Sequence, residues 1–389
     1  MSSHAIAEDF APDWAAIAVV ILGVTAFSVG QGLTYPLIAL VMEGRGVSST
    51  VSGLNAAVFA AGLATSTLMI GRLTVLLRGD RLIVAGLCGA SASLAAFAAF
   101  DQLWLWFLAR FMLGFSASII FTMSEAWLNA ACPDRLRGRV SGAYGAGMCA
   151  GFAAGPLAIP LVGTDDGFAF ALIAVYVAFV AFVTVMLSRF ARTRPEAASA
   201  RGLIDFARTA PLLLLMVLAF GYSDIAAISS IPLYFVERGY SESFAALVVS
   251  MVALPTAIAQ PLVGWILDRS SRSMVAVSSA ALCGAGFLAL PFLTSQLSLL
   301  LAVSLLGAAS FSLYTCALTL LGDRFRGGLL VSGAAAYALI YAIGSAAGSS
   351  STGLVMDISL DAAPILTGAI MLAFSLVFAL GLTDSRPRR

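Results

Sequence analysis

The stretch GFAFALIAVYVAFVAFVTVMLSR, residues 167–189, carries no charged side chain before its last position, Arg189. A helix needs about 20 mostly apolar residues to cross the roughly 30 Å hydrocarbon layer of a bilayer. This stretch is long enough and apolar enough to do so. It therefore predicts a membrane-spanning helix, and similar stretches recur along the whole chain.

The composition of the chain gives the same indication. Of its 389 residues, 60% are hydrophobic and 11% are charged, whereas a soluble domain carries about 25% charged residues. The chain therefore has too few polar side chains to cover a soluble surface, and a polytopic membrane protein is expected. The first thirteen residues include Glu8, Asp9 and Asp13 but no Arg or Lys, so we expect no cleavable signal sequence.

Twelve apolar blocks can be marked, and we number them as spans one to twelve. Each should be helical, because lipid cannot satisfy open backbone groups. The predicted fold class is an all-α polytopic membrane protein with twelve transmembrane helices. The blocks lie at 14–41, 51–76, 82–100, 103–131, 139–162, 167–189, 210–236, 243–267, 274–295, 297–321, 328–355 and 362–382.

The arginines indicate the orientation of the chain. All 21 basic residues are Arg, and Arg45 and Arg238 alone lie in the odd-numbered loops, while Arg110 lies inside a span. The positive-inside rule then puts both termini in the cytoplasm. We expect an integral multi-pass protein of a bacterial-type cytoplasmic (inner) membrane, in contact with the lipid bilayer and not with nucleic acid. The other arginines lie in even-numbered loops, the middle linker or the C-terminal tail, at 72, 78, 81, 135, 137, 139, 189, 192, 194, 201, 208, 269, 272, 324, 326, 386, 388 and 389.

An internal repeat relates the two halves of the chain at an offset of 193 residues. This repeat predicts an N-terminal six-helix bundle at 1–190, a cytoplasmic linker at 191–209 and a C-terminal six-helix bundle at 210–389. Within the linker, GLIDFAR indicates a short surface helix. The matching pairs are Gly46 and Gly239, Gly71 and Gly264, Gly114 and Gly307, Tyr144 and Tyr337, Gly151 and Gly344, and Gly155 and Gly348.

Two motifs resemble those of the Major Facilitator Superfamily, and the resemblance extends over essentially the whole chain. LARFMLGFSAS in span four resembles its R-x-x-x-G motif, with Arg110 and Gly114 in place. GWILDRSSR resembles its G-x-x-x-D-R loop motif, and the resemblance implies a role in the conformational cycle. The first-half copy of that loop has Val75 where the Asp belongs. The residues that carry the loop motif are Gly264, Asp268, Arg269 and Arg272.

The stretch GAYGAGMCAGFAAGPLAIP, residues 142–160, resembles the span-five motif that the superfamily associates with antiporters. Its glycines Gly147, Gly151 and Gly155 recur every fourth residue and form a smooth stripe, and Pro156 favours a bend. We interpret the stripe as a conformational motif at the interface of the two halves; simple close packing is the alternative. Leu at 151 or 155 should then leave the protein folded but impair turnover. SEAWLNAACPDRLRGRV, IPLYFVERGYS and GAASFSLYTCALTLLGDR more narrowly resemble the YcaD-like branch of the superfamily.

Three ionisable residues lie well inside spans: Arg110, Glu125 and Asp224. Burying a charge in a membrane is costly, so such residues are functional candidates, and we assign them to proton coupling or charge recognition. Structural pairing with neighbouring side chains is the alternative for each. Arg110 and Glu125 share one face of span four but lie about 22 Å apart along the helix, so they cannot pair locally.

The superfamily resemblance also implies that spans one, four, seven and ten line a central cavity. The polar residues on these spans that could contact a substrate are Gln31, Tyr35, Ser118, Thr122 and Tyr314. For each of them, interior packing with a satisfied polar tip is the alternative.

The predicted function is secondary active transport of a small organic solute by alternating access, in the form of proton-coupled efflux by antiport. Proton-coupled uptake of an organic anion or nutrient, with Arg110 as counter-ion, is one alternative, and a non-transporting receptor or scaffold is another. We expect a monomer, with no enzymatic activity, catalytic residue, cofactor or metal site. The one histidine, His4, lies in the N-terminal tail, and the chain has no lysine and therefore no G-x-x-x-x-G-K-[ST] phosphate-binding loop.

Overall fold

The computed structural model describes residues 11–163, 167–194, 203–325 and 327–383. Within these ranges, twelve helices are long and apolar enough to cross a membrane, and no strand occurs. The predicted all-α, twelve-span fold class is therefore confirmed.

The helices of the first half follow the predicted blocks closely, although span five begins at Asp134 rather than at 139. Their bounds are Trp14–Gly44, Ser49–Leu76, Gly79–Ala99, Leu103–Ala131, Asp134–Ala154 and Phe168–Ser188. After span five, a 3₁₀ turn at Pro156–Ala158 leads into a short helix at Ile159–Val162.

The second half begins with the short helix Leu203–Thr209 that the linker sequence predicts. Span seven has two α-helical parts, Pro211–Ile225 and Ile231–Glu237, joined by a π-helical turn at Ala226–Ser230. A 3₁₀ turn at Leu290–Phe292 follows span nine. The other spans are Glu242–Arg269, Arg272–Ala289, Gln296–Arg324, Gly327–Met356 and Ala362–Thr383.

The sequence repeat is also a structural repeat, first of all in the loops that follow spans one and seven. Gly46 and Gly239 both have positive φ, 72° and 88°, which an L side chain rarely adopts. Two residues later, Ser48 and Ser241 cap the next helix by accepting a hydrogen bond from the third following backbone N–H. The offset of 193 therefore holds for the glycine and for the cap alike.

Helix packing follows the same offset. At three positions in each half, a glycine lies so close to a carbonyl oxygen of the neighbouring span that a Cβ atom would overlap it. Because both members of each contact move by 193 residues, the two halves pack in the same way. The pairs are Gly114 with Phe59 and Gly307 with Val252, Gly151 with Thr25 and Gly344 with Leu218, and Gly155 with Val29 and Gly348 with Tyr222.

The two ends of the bundle differ. We call the end with the loops after the odd-numbered spans the hairpin end, and the opposite end, where the linker lies, the linker end. At the hairpin end, spans two and eleven meet so closely that a Cβ on Gly53 or Gly353 would overlap a carbonyl oxygen of the other span, on Ser349 or Ser49. Spans five and eight meet there as well, where Ser250 Oγ donates to the Ala153 carbonyl at 2.8 Å.

Asp357, just after span eleven, caps the N-terminus of span two across the two halves. Its carboxylate accepts from Ser49 N at 2.8 Å and from Thr50 N at 2.9 Å. Burial raises the pKa of Asp357, but the hydrogen bonds that it accepts outweigh that effect and hold the pKa below its usual range. A carboxylate at a helix N-terminus also interacts favourably with the helix dipole. These contacts and the Gly53–Gly353 packing form what we call the hairpin-end seal.

At the linker end, Asp13 fixes the start of the linker to the first half. Its carboxylate accepts from Arg192 N at 2.6 Å and from Thr193 N at 2.8 Å, and these bonds, against the effect of burial, hold its pKa below its usual range. The helix Leu203–Thr209 belongs to the second half, since Phe206 is fully buried with its ring 5.1 Å from that of Phe325. The predicted surface helix therefore packs on the second half through one side.

Candidate functional site

The Arg110 side chain is buried inside the first half, where two aromatic rings flank it. Its Cζ atom lies 4.9 Å from the ring centroid of Tyr35 and 4.9 Å from that of Phe59. Such cation–π contacts stabilise a desolvated guanidinium. Arg110 Nε and Nη1 nevertheless make no hydrogen bond to any residue that the structure describes. The site therefore holds a buried cation whose Nε and Nη1 donors make no bond to the described residues and could bind a ligand.

The R-x-x-x-G spacing explains this position. Gly114 lies one turn after Arg110 and lets span four approach the backbone of span two at Phe59. Because that approach brings span two against the same face of span four, the Phe59 ring reaches the guanidinium. Tyr35 comes from span one, just before Pro36.

Asp224 faces this group from the second half. Its Oδ2 accepts a hydrogen bond from the Tyr341 hydroxyl of span eleven at 2.8 Å. The Tyr35 hydroxyl lies close enough to both Arg110 and Asp224 to interact with their charges, and Gln31, one turn earlier, contacts the same hydroxyl. The arrangement is a polar group that crosses the halves, with a cation on one side and a carboxyl on the other.

The helix that carries Asp224 is irregular directly after it. The π-helical turn Ala226–Ser230 precedes Pro232, which lacks the N–H that a regular α-helix would use. Such turns are frequent at functional sites. The Ser230 hydroxyl pairs with Thr352 of span eleven at 2.6 Å, so the turn is fixed to that span.

Glu125 lies nearer the linker end and, unlike Arg110, is exposed. Its carboxyl is close enough to the Tyr144 hydroxyl of span five and the Tyr314 hydroxyl of span ten for their charges to interact. Because Tyr314 belongs to the second half, this face of span four points toward that half and not toward lipid. Asn129, one turn further along span four, is also exposed, and so is Leu318, one turn after Tyr314. The space between the halves is thus open toward the linker end.

Of the five predicted cavity residues on spans one, four and ten, Tyr314 and Ser118 have different surroundings. Tyr314 faces the space beside Glu125, with its ring stacked on Phe220 at 4.8 Å. Ser118 is buried between spans four and two, where its hydroxyl pairs with Thr67 at 3.2 Å. Its assignment to the cavity was wrong, because this part of the polar stripe faces the neighbouring span of the same half. Thr122, one turn later, is half-buried.

The glycine stripe of span five also differs from its predicted place. Gly147 and Gly151 pack against Thr25, and Gly155 packs against Val29, so the stripe meets span one of its own half. The prediction that it lies at the interface of the halves was wrong, because a smooth helix face allows any close neighbour and does not specify which. At Pro156, where a bend was predicted, the α-helix of span five is interrupted by the 3₁₀ turn.

The loop motif after span eight is described in part. The guanidinium of Arg269 stacks on the Trp265 ring, with Cζ 4.2 Å from its centroid, and Arg272 begins span nine. Gly264, Asp268 and Gly142 lie outside the residues whose side-chain surroundings the structure describes. The conformational role of this motif stays a prediction.

Three groups of this site had not been assigned to it from the sequence: Phe59, Tyr144 and Tyr341. Phe59 and Tyr341 contact charged groups on other spans. Such contacts depend on which helices are neighbours, and the sequence alone does not show that. One usable signal was the repeat, since Tyr144 matches Tyr337 in a pattern otherwise composed of glycines.

Comparison with known proteins gives matches over most of the chain. A profile of the Major Facilitator Superfamily matches residues 20–349 and 213–389. The uncharacterized MFS-type transporter YfkF of Bacillus subtilis (strain 168) is 25% identical over 353 residues, which cover 88% of each protein. The crystal structure of a mutant of the nucleoside transporter NupG superposes with a TM-score of 0.76 at 14% identity, covering 95% of this chain and 99% of NupG. This last likeness concerns the fold.

Proposed function

Because this chain belongs to the Major Facilitator Superfamily and is a transporter of that family, we propose that it exports a small organic solute in exchange for protons. The observation that carries the proposal is the pair of carboxyls between the halves. Asp224 lies in the middle of its span, and Glu125 lies near the open linker end. Intramembrane carboxyls that face the interior of a bundle typically mark proton or substrate routes.

The arginine distribution supports a cytoplasmic location of the linker end. In that orientation the protein is closed to the outside by the hairpin-end seal and open to the cytoplasm, as a monomer in the bilayer. Alternating access then requires the seal to open and the spans around Glu125 to close.

In this cycle the Arg110–Tyr35–Asp224 group provides the coupling. Deprotonated Asp224 presents a negative charge to the Arg110 side of the site, whereas protonated Asp224 leaves Arg110 without an opposing charge. Binding of a proton and binding of the solute each change the charge balance between Arg110 and Asp224. Each therefore changes the stability of the conformation that the other prefers, and this couples the movement of the solute to that of the proton. The Tyr341 hydroxyl holds the Asp224 carboxyl at 2.8 Å.

A second candidate is uptake of an organic anion with Arg110 as counter-ion. The Nε and Nη1 atoms of the buried guanidinium, which bond to no residue that the structure describes, favour it. Arg110→Ala should abolish binding of an anion and spare a cation, which separates this candidate from export of cations. A receptor or scaffold without transport is a third candidate, and it predicts no flux in any of these assays.

The substrate is best sought by thermal-shift screening of the purified protein at two pH values. The compounds should include metabolites, drugs and, given the fold likeness to NupG, nucleosides. Flux of a hit is then measured in proteoliposomes with and without an imposed pH gradient. We expect flux that follows the gradient and loses that dependence in Glu125→Gln, Asp224→Asn or both. Flux that ignores the gradient and survives the double substitution would refute proton coupling through these residues.

A further inference from the structure

The repeat places Tyr144 and Tyr337 at equivalent positions, yet their hydroxyls differ. The Tyr337 hydroxyl donates to the carbonyl of Ala317 in span ten at 2.9 Å. The residue equivalent to Ala317 in the first half is Ser124, at the offset of 193. The Tyr144 hydroxyl is buried and nevertheless bonds to no group that the structure describes. One half thus satisfies this hydroxyl with backbone, and the other leaves it available.

The group that distinguishes the first half is the acid beside this hydroxyl. Glu125 follows Ser124, and its equivalent in the second half is the apolar Leu318. The Tyr144 hydroxyl and the Glu125 carboxyl lie close enough to interact electrostatically. Buried hydroxyls are rarely left without a partner, so one that bonds to no described group and lies within electrostatic range of a carboxyl indicates a bond that forms in another state.

A second tyrosine approaches the same carboxyl from the other half. Tyr314 is held by stacking on Phe220 at 4.8 Å and by an edge contact with Phe311 at 5.9 Å. Its hydroxyl also interacts electrostatically with Glu125. Within the described part of the chain, two titratable groups lie within electrostatic range of Glu125, and they are these two tyrosines, one from span five and one from span ten.

We propose that Tyr144 and Tyr314 are positioning residues for Glu125, and that their hydroxyls, one from each half, donate to its carboxylate. An ionised carboxylate accepts both bonds, whereas a protonated one keeps an O–H donor of its own and accepts less well. Because Tyr314 lies across the opening, the ionised state draws the halves together at the linker end and protonation releases them. The proposal rests on the proposed function in so far as Glu125 takes part in proton coupling.

Infrared difference spectroscopy on the purified full-length protein tests the proposal without a substrate. The carboxyl band of Glu125 is identified as the part of the pH-difference spectrum that Glu125→Gln removes. Loss of one net hydrogen bond corresponds to roughly half a pH unit to one pH unit in the midpoint of that band. We expect Tyr144→Phe and Tyr314→Phe each to move the midpoint upward by that amount. Tyr337→Phe is the matched control, because its hydroxyl bonds to backbone, and it should leave the midpoint unchanged.

Unchanged midpoints in both Tyr144→Phe and Tyr314→Phe would overturn the proposal, as would an equal shift in Tyr337→Phe. If a variant does not fold, ¹³C-tyrosine in the unmodified protein gives a second readout. The phenol bands should then change with the Glu125 midpoint and lose that change in Glu125→Gln; phenol bands that do not respond would contradict the proposal. Proton-independent flux with the predicted infrared shifts would refute the proposed function alone.

Discussion

The two ends of the bundle hold the halves in opposite ways. At the hairpin end, Asp357 bonds to the backbone of span two, and Gly53 and Gly353 bring the two spans into contact. At the linker end, Glu125 is exposed and Tyr144 keeps a buried hydroxyl without a bond to the described residues. The hairpin end is therefore closed by hydrogen bonds and close packing across the halves, while the linker end carries an exposed carboxyl and a buried hydroxyl that bonds to no described residue. Under the proposed function, alternating access would exchange these two conditions between the ends.

The largest expected effect comes from a glycine that packs within one half. A Cβ on Gly151 would overlap the Thr25 carbonyl, and a Leu there would force spans one and five apart. Overpacking of this kind costs typically 1–3 kcal/mol and occasionally more. We expect Gly151→Leu to lower the Tm by several degrees or to abolish folded expression, contrary to the sequence-based expectation of a folded, slow variant. Gly44→Leu, where a Cβ meets open space, is the control, and an unchanged Tm for Gly151→Leu would contradict the packing described.

A glycine between the halves should act differently. Gly353→Leu would overlap the Ser49 carbonyl across the seal, so it should disfavour closure of the hairpin end without unfolding either half. Opening of the hairpin end can be measured with a cysteine at position 349, because Ser349 is buried in the closed seal. The Ser349→Cys variant, in a protein without the native cysteines, is labelled with a membrane-impermeant maleimide. We expect fast labelling with Gly353→Leu and slow labelling without it. Equal rates would show that the seal does not depend on this contact.

Removal of the Asp357 charge should weaken the seal to a smaller extent. Asp357→Asn loses two charge-assisted bonds at an exposed site, which we expect to cost about 1 kcal/mol, or roughly fivefold in the closed-to-open ratio. The same maleimide assay measures it. Asp361→Asn is the matched control, since Asp361 accepts from Tyr234 within the second half. A similar rise in labelling for both variants would assign the effect to local disorder and not to the seal.

The pH dependence of the seal follows from the same bonds. The pKa of Asp357 is lowered in the closed state. Its stabilisation of the closed seal is therefore fully present above the ordinary Asp pKa of about 3.9 and is lost as the pH falls below that value. Labelling of Ser349→Cys should therefore stay constant through the neutral range, once corrected for the reactivity of the thiolate. It should rise only in strongly acidic solution. A rise near neutral pH would assign the opening to a different titrating group of the seal, such as Glu237, which accepts from the Ser49 hydroxyl at 2.8 Å.

The smallest expected effect on stability is at the linker end. Glu125 makes no hydrogen bond to a residue that the structure describes, so Glu125→Gln should leave the Tm unchanged while it removes proton dependence from transport. Asp224→Asn weakens a bond from Tyr341 and should lower the Tm slightly. A Tm drop for Glu125→Gln as large as that for Asp224→Asn would show that the carboxyl is already bonded.

Much of the fold was predictable from the sequence, because the bilayer dictates span length and requires helices. Span four was predicted at 103–131 and runs from Leu103 to Ala131. The repeat was predictable as well, since Gly46 and Gly239 need positive φ and so keep their identity.

For the site, the sequence predicted the types of residue and their positions along the spans, but not the contacts between them. Periodicity places Arg110, Ser118 and Glu125 on one face of a helix, but it cannot say which neighbour each of them meets. Ser118 meets Thr67, while Glu125 faces the opposite half, because the same face passes from one neighbour to another along its length. The Tyr341–Asp224 bond joins residues 117 positions apart, and only the packed structure brings them together.

The central claim, that the two ends open alternately, is tested most directly by distances measured across both ends in one protein. Spin labels at Leu54→Cys and Leu354→Cys report the hairpin end, and labels at Leu76→Cys and Met274→Cys report the linker end; all four positions are exposed. Gly353→Leu or Asp357→Asn should lengthen the first distance and shorten the second. Lengthening at the hairpin end with no change, or with lengthening, at the linker end would contradict alternating access by movement of the two halves.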